Sequence, residues 1–124
     1  MKTAGITQEI RRALCAVDRT TKATKRRIAL AEAPHIARAV RALVRQAQPG
    51  DVAGVLVVRG GYVNNSYNYR AMCDEVRVEL DLRAGTWGVS AERVNAQSRP
   101  LGIGDLTIAR LKRAGQTQGR VVAL

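Results

Sequence analysis

Residues 74–83 alternate from Glu75 onward: Val76, Val78, Leu80 and Leu82 fall on one side, Arg77, Glu79, Asp81 and Arg83 on the other. A period of two belongs to a β-strand, and the split by polarity gives that strand one buried and one wet face. One-sided burial of this kind is the pattern of an antiparallel sheet covered on a single face. The rest of the chain must then supply neighbouring strands and a cover.

Two neighbours are readable. Residues 52–59 (VAGVLVVR) are an almost continuous apolar run, the pattern of an interior strand, and Gly60-Gly61 stops it. On the other side Ala84-Gly85 turns the chain into a third strand over 86–89, with Trp87 and Val89 on one face. Residues 98–104 (SRPLGIG) read as a linker. Asp105 is then a suitable cap for a short helix carrying Leu106, Ile108, Arg110, Leu111, Lys112 and Arg113, closed by Gly115, and 120–124 can form a last strand.

The cover is legible upstream. Ile10, Leu14, Val17, Thr21, Thr24, Ile28 and Ala31 recur at spacings of four and three, a seam about 100° wide on a helical wheel. Arg11, Arg12, Arg19, Lys22 and Arg26 occupy the far side of the same wheel. Thr7 is suited to cap this helix, and the β-branched pair Thr20-Thr21 is where it could divide. Pro34 suits the first turn of a second helix, with Ile36, Val40, Leu43 and Ala47 on one face and Arg38, Arg41 and Arg45 on another. Gln48-Pro49-Gly50-Asp51 ends it with turn chemistry. The expected fold is α+β: two N-terminal amphipathic helices on an antiparallel sheet of three or more strands, with a short C-terminal helix. The 124 residues form one domain, divided into a basic helical part (1–48), a sheet (52–97) and a closing segment (98–124).

Charge is unevenly distributed over these parts. The chain has 21 Lys+Arg against 10 Asp+Glu, a formal net charge of +11. Residues 1–45 carry +8 of it, 46–99 sum to zero, and 100–124 carry +3. Residues 1–45 hold only three acids, Glu9, Asp18 and Glu32, against eleven Lys and Arg, so intrahelical pairing does not account for the surplus. A localised surplus of this kind attracts polyanions.

Catalytic patterns are sparse. His35 is the only histidine, which excludes a two-histidine zinc motif within one chain. Cys15 and Cys73 have neither CxxC spacing nor the density of a disulfide scaffold. Glu79 and Asp81 share a strand face about 7 Å apart, but Arg77 and Arg83 flank them, and such a row reads as surface ion pairing more readily than as a metal site. Tyr62, Tyr67 and Tyr69, in the polar stretch 61–70, could stack on unpaired bases or face the core of a strand. No run of residues approaches a membrane span.

The expected function is therefore non-enzymatic nucleic-acid binding, DNA or RNA, with no cofactor, no metal and no catalytic residue. The contacts are phosphate contacts through Arg11, Arg12, Arg19, Lys22, Arg26, Arg38, Arg41 and Arg45. The expected setting is the cytoplasm or a nucleoprotein particle, away from membranes, with a possible homo-oligomer. The alternative is a small structural or interface subunit of a larger assembly, such as a virus or phage particle. A small nuclease or a protein inhibitor stands behind both.

Overall fold

The computed structural model describes residues 1–16, 23–59, 75–92 and 107–124. Two helices, α1 (Ile6–Ala16) and α2 (Ala23–Arg45), precede five strands: β1 (Asp51–Arg59), β2 (Glu75–Asp81), β3 (Thr86–Glu92), β4 (Thr107–Arg113) and β5 (Arg120–Val121). The strands form one sheet in the order β3-β2-β1-β4-β5, and every neighbouring pair is antiparallel. The α+β expectation therefore holds, with a wider sheet and a different C-terminal segment.

The helices lie on one face of the sheet, α1 against β3 and α2 against β1 and β4. In α1 the residues Ile6, Ile10 and Leu14, four apart, are fully buried, and α2 adds Ile36, Val40 and Leu43. From the sheet they meet Leu56, Val58, Val76, Val78, Leu80 and Leu111 in one apolar cluster. The alternation read in 74–83 is the burial pattern of β2, with Val76, Val78 and Leu80 inward and Arg77, Glu79 and Asp81 outward. Strand β1 reads as a continuous apolar run because it is central. It pairs with β2 and β4, and its outward Val57 lies in register between Arg77 and Ile108, only 6% exposed. Gly54, on its inward side, leaves room that Leu80 and Leu111 fill: a Cβ there would sit 3.2 and 3.3 Å from their methyl groups.

Four expectations are corrected. The expected C-terminal helix is strand β4, in which Ala109 and Leu111 are buried between half-exposed Ile108, Arg110 and Lys112. The three-residue spacing of Ile108 and Leu111 imitates a helical face, but β1 requires a partner on its free edge, and pairing overrides local preference. Pro34 does not open a helix: α2 runs through it, with Ala33, Ile36 and Ala37 fully buried around it. An interior proline forfeits a backbone hydrogen bond and costs roughly 3 kcal/mol, and burial of the α2 seam offsets that cost. Thr7 is not a cap. It lies within the first turn, where Gly5, at φ 83°, offers its carbonyl to the Glu9 N–H and the Thr3 carbonyl accepts from Ile6. The closing strand is also shorter than expected, two residues instead of 120–124. The possible break at Thr20-Thr21, the stop at Gly60-Gly61, the tyrosine segment, Cys73, the 98–104 linker and Asp105 lie outside the described residues.

Candidate nucleic-acid interface

The basic faces follow from the apolar seams. In α1, Arg11 and Arg12 are one and two residues beyond the buried Ile10, which turns them about 100° and 200° from the core, and both are exposed. In α2, Arg38, Arg41 and Arg45 are spaced i, i+3, i+7 and so share a sector about 60° wide over roughly 10 Å of helix. Arg38 and Arg45 are exposed and Arg41 is half-exposed. The stripe is about as long as the axial rise of three phosphates along one nucleic-acid strand.

The counterions decide which of these cations remain available. Arg12 Nη1 donates to Glu9 Oε1 at 2.5 Å, one helical turn back, so one of the expected contacts is engaged by the chain's own acid. Both partners are solvent-exposed, and a pair of that kind is readily exchanged for a stronger anion. Arg38 Nη2 lies 2.7 Å from His35 Nδ1, a contact that brings no carboxylate to the guanidinium. Arg11, Arg41 and Arg45 form no ion pair among the described residues. The structure thus collects Arg38, Arg41 and Arg45 on one stripe and sets Arg11 and Arg12 on the other helix. Arg26 belongs to α2 by its backbone, not to the first helix with which the seam grouped it. Its side chain, and Arg19 and Lys22 altogether, lie outside the described residues.

The C-terminal surplus is spent differently. Arg120 forms a two-pronged pair with Asp51: Nη1 donates to Oδ1 at 2.7 Å and Nη2 to Oδ2 at 2.6 Å. The Asp51 side chain is fully buried and also accepts the Gln48 N–H at 2.7 Å. These bonds, the Arg120 guanidinium first, lower the Asp51 carboxyl from 3.8 to about 2. Nothing local in the sequence signals this pair, whose members stand 69 residues apart. Arg110 and Lys112, expected on a helix, lie on the sheet face turned away from α1 and α2, in register with Val55 and Ala53.

The acidic row is structural in its described contacts. Asp81 Oδ1 accepts the N–H groups of Arg83 and Ala84, both at 3.0 Å, and so closes the β2–β3 turn, while Arg77 approaches Glu79 to 3.6 Å. An open hollow lined by Glu79, Leu80, Asp81, Thr86, Trp87 and Gly88 lies beside that turn. Among the described residues no group of three or more His, Cys, Asp or Glu is placed to hold a metal, and no helix is long and apolar enough to cross a membrane. No protein-family model, curated protein or solved structure matches the chain.

Proposed function

We propose that the chain binds nucleic acid, with the outward face of α2 as the principal contact surface and Arg11 and Arg12 of α1 as secondary contacts. The observation that supports this reading is the Arg38–Arg41–Arg45 stripe, three guanidinium groups on one side of a helix with no carboxylate partner among the described residues. Unpaired like charges along one helix face repel one another, and a polyanion relieves that repulsion. Guanidinium groups also match phosphate oxygens in planar, two-pronged geometry. Arg19, Lys22 and Arg26 complete the proposed set. Contacts of this type position a protein on the backbone and carry little sequence information.

The test is a fluorescence-anisotropy titration of labelled DNA and RNA, each single- and double-stranded, across a series of salt concentrations. Neutralisation of about six phosphates gives a slope of log K against log salt near −5. A flat response would remove the proposal. Comparison of the four probes identifies which nucleic acid is bound.

A further inference from the structure

The two edges of the sheet are finished in opposite ways. On the β4 side the chain covers its own edge: β5 pairs with Arg110 and Leu111, the Val122 N–H then bonds to the Ala109 carbonyl, and Gln46 Nε2 holds the Ala123 carbonyl. On the β3 side, among the described residues, nothing pairs beyond β3. Strand β3 pairs with β2 over seven consecutive positions without a register shift, so no bulge twists its outer edge away. It contains neither proline nor lysine, and from Thr86 to Ala91 it has no charged residue. Soluble sheets ordinarily protect such an edge with just those devices. The apolar layer is also left open there: Trp87, Val89 and Ala91 pack against the core but stay partly exposed, unlike the fully buried Val76 and Val78 beside them.

We infer that a second copy of this chain pairs with the open edge of β3, antiparallel, about a two-fold axis at Val89. The strand is complementary to itself in that register. Trp87 meets Ala91 of the other copy, large against small, and Val89 meets Val89 on the core side. On the outer side Gly88 meets Ser90, and the strand from Thr86 to Ala91 brings no charged residue to the pairing. Charge also favours this site over the rest of the surface. Two chains of net charge +11 repel, and the repulsion at contact is least along a strand with no cation. Because α1 packs on β3, the pairing sets the α1 helices of the two copies on the same side of a continuous ten-stranded sheet, which is five strands from each copy. The inference stands whether or not the α2 stripe binds nucleic acid.

The test is the mass of the full chain by sedimentation or light scattering, after nuclease treatment and in high salt, over a range of concentrations. The expected result is a species of twice the 13.5 kDa chain mass. The double variant Gly88→Lys with Ser90→Lys places cations opposite each other twice across the axis. Both positions are exposed, and a Cβ at Gly88 meets nothing within 4 Å, so the fold tolerates the change, which circular dichroism verifies. It should raise the dimer dissociation constant by about tenfold or more. As a check that does not rely on that variant, Val89→Cys treated with oxidised glutathione should yield a disulfide-linked dimer, because directly opposed residues of an antiparallel pair lie within disulfide reach. A parent chain that stays monomeric, a ring or trimer in place of a dimer, or a double variant that dimerises like the parent with no cross-link through position 89 would each overturn the inference.

Discussion

Arg120 and Arg41 are the same side chain put to opposite uses. Arg120 is held by a fully buried carboxylate and ties the last strand to the start of β1. Arg41 stands on a helix between two other arginines with no carboxylate partner among the described residues. The first contributes to holding the fold, and the second raises the local potential at some cost to it. Net charge therefore overstates the cationic surface available to a partner, and the placement of each counterion decides which arginines belong to it.

Four experiments test this division. Replacing Arg38, Arg41 and Arg45 together by Glu should lower nucleic-acid affinity by about a thousandfold at low salt and flatten the salt slope by about 3, leaving the melting temperature within about 2 °C of the parent. An unchanged titration would place the binding surface elsewhere. Gly119→Ala should do the reverse, costing about 3 kcal/mol of stability with affinity unchanged in the folded fraction, measured by urea denaturation. Gly119 sits at φ 75°, and a Cβ there would collide with the Leu111 carbonyl, so the turn into β5 must shift.

Asp51→Asn comes next. It removes the charge that Arg120 pairs with and should lower the melting temperature at neutral pH by roughly 5 °C. Its pH dependence identifies the cause. The folded-state value of Asp51, about 2, lies below the ordinary 3.8, so its contribution is complete above 3.8 and is lost as pH falls through about 2. The melting temperatures of parent and variant should therefore converge between pH 4 and pH 2, whereas a constant difference would mean that the carboxylate charge is not what stabilises the edge. Glu9→Gln should have the mildest outcome. It frees Arg12, changes stability by no more than about 0.5 kcal/mol, and should raise nucleic-acid affinity about twofold. An unchanged affinity would show that Arg12 is not among the contacts.

What was readable in the sequence shares one property: it depends on neighbours along the chain. The alternation of β2, the apolar run of β1 and the i, i+4 seam of α1 are each a local period that burial on one side imposes. The two strands appear where they were expected, while of the expected seven-residue seam only Ile10 and Leu14 fall in α1, and Thr24, Ile28 and Ala31 belong to α2. The arginine stripe of α2 was readable for the same reason. Its spacing is helical, so it survived the relocation of the helix start from Pro34 to Ala23. The misreadings have the opposite origin. Pro34 is a local stop signal outweighed by the burial of Ala33, Ile36 and Ala37. The segment that became β4 carries a weak local pattern, and its conformation was settled by the open edge of β1.

On its own the sequence determined the fold class, the strands β1 and β2 and the side of α2 on which positive charge collects. All of these follow from the repeat distances of a helix and a strand. The tertiary structure decided that β4 pairs with β1, that Asp51 pairs with Arg120, and that, among the described residues, one edge of the sheet is closed and the other open. Contacts between residues tens of positions apart depend on how the chain is brought together, and a local period carries no information about that.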